Sequence, residues 1–158
     1  MSVPDVQLRQ LVYAAIVTRK RTDGFIVNDF EVEETYLPHT RLTDLPDAGK
    51  VWVIGLAGDD ARVARSDAFE RDIPIQIGLQ KHLHGKVGEL TKEIDRYREL
   101  EDQLRDVCRT CVHDHKHFAW TRNEALKDEN GMPFNFMGMR EQNTLEAYFT
   151  AFYKVVLE

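Results

Sequence analysis

The sequence predicts an α+β domain in which a mostly antiparallel sheet packs against an N-terminal helix and one long helix. Residues 71–80 alternate apolar and polar positions, which is the two-residue period of a half-buried strand. Residues 90–111 place apolar side chains three and four positions apart, which forms a stripe along a helix. The apolar positions are Ile73, Ile75, Ile77 and Leu79 in the strand, and Leu90, Ile94, Tyr97, Leu100, Leu104, Val107 and Cys111 in the helix. Because the two surfaces are similar in length and adjacent in the chain, we expect them to bury each other.

The N-terminal helix is predicted to start at Ser2 as the N-cap, with Pro4 in the first turn and Asp5 as the acidic residue three positions after the cap. Its apolar face consists of Leu8, Leu11, Val12, Ala15 and Ile16. Three basic residues, 19–21, lie in the last turn, where the helix dipole favours positive charge. The Thr-Asp-Gly sequence at 22–24 is predicted to end the helix.

Strand signals follow, interrupted by prolines. Residues 25–36 and 37–45 favour strand, and Pro38 and Pro46 mark edges or turns because proline has no amide hydrogen for a ladder. Residues 50–56 form a nearly all-apolar run, which is typical of a strand covered on both faces. We expect this strand to pair antiparallel with residues 73–79. The polar connection at 58–69 then forms either a hairpin tip or an ordered arm.

The segment from Cys108 to Met139 is interpreted as a loop elaboration within a single domain that spans residues 1–158. Residues 123–139 are rich in Gly, Asn and Asp, and also carry Met132, Phe134 and Phe136. These apolar side chains either pack back on the domain or contact a subunit or another partner. Residues 149–157 are predicted to be a closing strand with alternate residues on each face.

Composition excludes several classes of protein. A chain of 158 residues is long enough for a core without disulfides, and 42% hydrophobic with 30% charged residues is ordinary for a globular domain. The net charge of −6 does not favour sequence-specific nucleic-acid binding. The apolar runs are too short to span a membrane, and no signal-peptide pattern is present. The two cysteines fit reduced thiols in a cytosolic setting.

One cluster contains the residue types of a metal site. Cys108 and Cys111 precede three histidines at 113, 115 and 117, and zinc takes four Cys or His ligands. However, zinc sites usually separate two ligand pairs by a loop, whereas these five residues lie within ten positions. We therefore expect core or loop residues here and no cofactor. A metal site that includes Cys108, Cys111 and His115 is the alternative.

No sequence motif predicts an enzyme. The chain has no glycine-rich phosphate loop, no nucleophile elbow and only two serines. Basic residues Arg62, Arg65 and Arg71 are concentrated around the polar connection and the strand that follows it. They are candidates for an assembly contact, and a solvated loop is the other interpretation.

The order of these elements resembles the tail terminator proteins of tailed bacteriophages. The matching parts are the helix at 7–19, the segment 30–38, the apolar strand 51–56, the arm around Arg62 and Arg65 that leads into 73–79, the helix at 94–107 and the ending 149–157. Residues 108–139 have no counterpart. The resemblance implies a hexameric ring in the virion neck, assembled in the host cytoplasm. Such a ring stops polymerisation of the tail tube and joins the tail tube protein to the head connector or stopper protein.

Two other classes remain open from the sequence. Another ring-forming neck protein, a head-completion or stopper protein, is close in size and role. A zinc-stabilised binding module that uses the cysteines and histidines belongs to a different class. Bound metal that is lost on Cys108→Ala would support that module.

Overall fold

The described residues of the computed structural model, 3–36, 45–62, 69–84, 89–127 and 143–157, form two helices and six strands. The elements are α1 (Pro4–Arg21), β1 (Glu31–Thr35), β2 (Lys50–Gly55), β3 (Asp59–Arg62), β4 (Phe69–His82), α2 (Leu90–Thr110), β5 (Phe118–Ala125) and β6 (Thr144–Leu157). Both helices pack on one mostly antiparallel, mixed sheet. The predicted α+β class is confirmed. Within the described part of the chain, neither helix is both long and apolar enough to cross a bilayer.

The strands lie in the order β1-β2-β4-β6-β5. The predicted antiparallel pair of β2 and β4 is confirmed, with Val53 opposite Ile77. β1 joins β2 in parallel, and the other pairs are antiparallel. Since β6 pairs with β4 along its whole length, β3 must occupy the same side of β4 as β2. β4 is therefore a long central strand. On one side it pairs with β3 through residues 69–72 and with β2 through residues 75–80, and on the other side it pairs with β6.

Both helices pack on the same face of the sheet and contact each other there. The core lies between the helices and this face. β4 and β6 bury alternate residues there, and the stripe of α2 buries Tyr97, Leu100, Leu104 and Val107 as its spacing predicts. α1 contributes Leu8, Val12 and Ile16. β2 is buried on both faces, also as predicted, because Trp52 and Ile54 are enclosed on the side away from the helices.

Three details of the sequence prediction were wrong. The N-cap of α1 is Val3, which makes no side-chain capping hydrogen bond, while Ser2 lies outside the described residues. The closing strand begins at Thr144 rather than residue 149. The segment interpreted as a loop contains β5, an edge strand. Its alternation is interrupted by an irregularity between Trp120 and Arg122, and its half-buried positions include the polar Thr121 and Asn123, so a two-residue period was hard to detect.

Candidate functional site

The described part of the polar connection between β2 and β4 contains β3, which pairs with the start of β4. We use the name arm for β3, residues 69–72 of β4 and residues 154–157 of β6, which form three antiparallel strands. Asp60 lies opposite Arg71, and Arg71 lies opposite Val155. Residues 59–62 and 69–72 are paired as expected for the base of a hairpin or arm. Residues 63–68, including Arg65, lie outside the described residues.

Arg71 attaches the arm to α1. Its Nε donates to Asp60 Oδ1 at 2.7 Å, and its Nη1 donates to Asp5 Oδ1 at 2.9 Å. The Asp5 carboxylate also accepts the backbone N–H of Gly58 at 3.3 Å. The hydrogen bond to Asp60, followed by the one to Asp5, raises the pKa of Arg71 above its ordinary value, and the hydrogen bond from Arg71 lowers the pKa of Asp60. The guanidinium predicted as a partner contact therefore fixes the arm against the first turn of α1.

The arm exposes apolar side chains on both of its faces. Phe69 is 46% exposed and Val156 is 54% exposed. Phe69 has the parity of the core-facing residues of β4, whereas Val156 follows the buried Val155 and faces the other way. The backbone of Arg62 lies opposite Phe69, and its side chain is outside the described set. The arm is thus held to α1 by the ion pairs of Arg71 and exposes an apolar surface formed by Phe69 and Val156.

The cysteines of the predicted cluster lie in or beside the core, whereas its histidines are exposed at the surface. Cys108 is fully buried, and Tyr153 Oη donates to its carbonyl oxygen at 2.5 Å. The Sγ atom of Cys111 lies 3.7 Å from the same hydroxyl. Burial raises the pKa of both thiols above the ordinary value of a cysteine. His115 is exposed, and no three potential ligands are grouped among the residues that the structure describes.

The other predicted contact candidates, Met132, Phe134 and Phe136, fall outside the described residues. The hypothesis that their loop contacts a partner therefore stays a prediction.

Sequence reasoning missed a polar network on the face of the sheet away from the helices. Trp52 is fully buried there, and its indole N–H donates to Gln80 Oε1 at 2.8 Å. Gln80 Nε2 in turn donates to the hydroxyl of Tyr148 at 3.3 Å. Gly78 lies between Trp52 and Tyr148, and a Cβ at this position would come within 2.5 Å of the Tyr148 ring. The only signal in the sequence was a glycine within an alternating strand.

Glu146 lies beside this network, opposite Gln80, and burial raises the pKa of its carboxyl. A carboxyl with a raised folded-state pKa binds its proton more tightly in the folded protein. Its contribution to stability is then greatest below its unfolded pKa of 4.5 and is lost as the pH rises through the folded value. We therefore expect Glu146→Gln to increase the thermal midpoint modestly at about pH 7 and to leave it nearly unchanged at about pH 3.5.

The control for this measurement is Glu99→Gln on the exposed side of α2, which should not change the midpoint at either pH. Equal midpoints for Glu146→Gln and the wild type at neutral pH would show that burial of this carboxylate carries no penalty.

A cavity of about 450 Å³ lies between the start of α2 and the loop before β2. Its lining includes three basic side chains, Lys81, Lys92 and Arg96, and three acidic ones, Asp29, Asp47 and Glu93. Burial lowers the pKa of Lys81, and burial raises the pKa of Tyr97 to about 12 while its hydroxyl donates to the Ala48 carbonyl at 2.7 Å. These groups balance one another in charge and hold α2 against the loop.

Comparisons of the sequence with protein-family models and with curated proteins give no match. The features that bear on function are therefore the geometry of the arm and the sheet and the order of the elements.

Proposed function

We propose that this chain is a structural protein of the phage neck, a tail terminator that closes into a ring on the last ring of the tail tube. In this role it stops polymerisation of the tube protein and presents a surface to the head connector or stopper protein. It acts in the virion after assembly in the host cytoplasm, and it needs neither a cofactor nor catalysis. The element order of the described residues supports the proposal, with β5 as an addition before the closing strand.

The arm is the observation that carries the proposal. A single domain has little reason to extend three strands that expose Phe69 on one face and Val156 on the other. The ionic contacts of Arg71 with Asp5 and Asp60 hold this extension in one orientation. An ordered, apolar extension suits a contact with a neighbouring copy. Such a contact between two different surfaces closes into a ring when the rotation fits.

Native mass in solution, measured at several concentrations, tests the proposal. Six copies of the 18.4 kDa chain would give a species of about 110 kDa, which negative-stain images should show as a ring. Phe69→Ser should shift the population toward monomer without unfolding it, because Phe69 is 46% exposed. The matched control is Ile26→Ser, which removes a side chain of similar exposure, 41%, distant in sequence from the arm.

A monomer at every concentration, with no rings in the images, would contradict the proposal. If Phe69→Ser forms rings as well as the wild type does, the arm is not the contact between neighbouring copies.

A further inference from the structure

The part of the sheet that the structure describes ends in two different edge strands. β1 forms one edge and β5 forms the other, and among the described residues neither strand has a partner on its outer side. Glu31 N donates to Gly49 O on the β2 side. Because backbone groups alternate along a strand, the N–H and C=O groups of Val32 and Glu34 point toward the open side of β1. These groups offer donors and acceptors for an added strand.

The two edges carry opposite charge. Residues 29–36 contain four acidic residues and no basic one, a formal charge of −4. Residues 116–127 contain Lys116, Arg122 and Lys127 against Glu124, which is three minus one, or +2. Glu33 and Glu34 form ion pairs with Lys50 at 2.8 Å and Arg9 at 3.0 Å, while Glu31 is exposed on the edge. On the other edge, Arg122 lies 3.6 Å from Glu124 in an ion pair within β5, and its side chain is still 60% exposed.

A groove of about 560 Å³ between α1 and β1 borders the β1 edge. Its lining combines the apolar side chains of Tyr13, Val17 and Val32 with the charged side chains of Lys20, Arg21, Glu31, Glu33 and Lys50. In β5, the half-buried Phe118 and Trp120 point to the same face of the sheet as the helices. A β5 strand placed beside β1 would direct these two aromatic residues toward the groove.

We infer that β1 of one copy pairs with β5 of the next, so that the sheet continues from subunit to subunit around the ring. β1 runs parallel to β2, and three antiparallel steps separate β2 from β5. β1 and β5 therefore run in opposite directions, and a rotation that preserves strand direction makes the new pair antiparallel. The contact joins two different edges, so it propagates from copy to copy instead of ending at a dimer. This inference rests on the proposed ring.

Charge reversal at each edge tests the pairing. Glu31→Lys and Arg122→Glu, each alone, should raise the concentration at which half of the chains are in rings by about tenfold or more. An equimolar mixture of the two variants should restore rings. In a ring where the two variants alternate, every contact joins either two unmodified edges or two reversed edges, and both combinations are complementary. Circular dichroism and thermal midpoints confirm that each variant is folded.

The control is Asp102→Lys on the exposed side of α2, which makes the same change in charge as Glu31→Lys outside both edge strands and should leave ring formation unchanged. If the wild type forms rings and both edge variants form them equally well, the edge pairing is wrong while the ring proposal stands. A mixture as dissociated as the single variants would also overturn the pairing. If the wild type forms no ring, the proposed function fails and the edge pairing fails with it.

Discussion

Replacing Trp52 by alanine should lower the free energy of unfolding by about 3–5 kcal/mol. Its side chain is fully buried on the face of the sheet opposite α1 and α2, so its removal leaves a cavity in the centre of β2. The Lys50 ammonium, 4.3 Å from the centre of the indole ring, would lose its aromatic partner. Urea unfolding followed by circular dichroism measures the change.

Two further variants separate packing from hydrogen bonding at this position. Trp52→Phe keeps most of the ring but leaves Gln80 Oε1 without the indole donor, which should cost about 1–3 kcal/mol. The double variant Trp52→Phe with Gln80→Met removes both partners of this bond, so it should recover part of that loss. The single variant Gln80→Met accounts for the loss of the hydrogen bond from Gln80 to the Tyr148 hydroxyl. If the double variant is less stable than the sum of the single variants predicts, the hydrogen bond is not the source of the cost.

Local periodicity was sufficient to predict the main elements of the fold. The alternation in β4 and the three- and four-residue steps in α2 arise from the backbone geometry of each element, and each pattern continues for many residues. β5 lacks such a continuous pattern. Its irregularity at residue 121 shifts the register by one position, and the Thr121 hydroxyl donates to the Phe152 carbonyl at 3.0 Å. A strand with both features is difficult to distinguish from a loop.

The candidate site depends on contacts that the sequence does not encode locally. Polar composition indicated the arm, but the partner of Arg71 on α1, Asp5, lies 66 positions away. The Trp52, Gly78 and Tyr148 row likewise requires the register of three strands. Periodicity assigns a residue to a face of the sheet, whereas register decides its neighbours. The charged residues were therefore visible in the sequence, while their roles required the assembled sheet.

Shortening a buried side chain of α2 should lower the free energy of unfolding by a comparable amount. Leu100 is fully buried in the stripe of α2 and belongs to the core between the helices and the sheet. We expect Leu100→Ala to lower the free energy of unfolding by about 2–5 kcal/mol, since the rigid sheet cannot collapse fully into the cavity. A domain of this size has only about 5–15 kcal/mol of stability in total, so the variant should unfold at much lower urea concentration.

Glu99→Ala is the control for this prediction, because it truncates the adjacent, exposed side chain of the same helix. It should change the free energy of unfolding by no more than about 0.5 kcal/mol. The pair of variants thus compares the buried and exposed sides of one turn of α2. Equal losses for both would contradict the prediction, because Ala has the highest helix propensity and burial against the sheet would then make no difference between the two positions. A large loss of unfolding free energy for Leu100→Ala alone would show that packing of α2 in the core with β4 and β6 stabilises the domain.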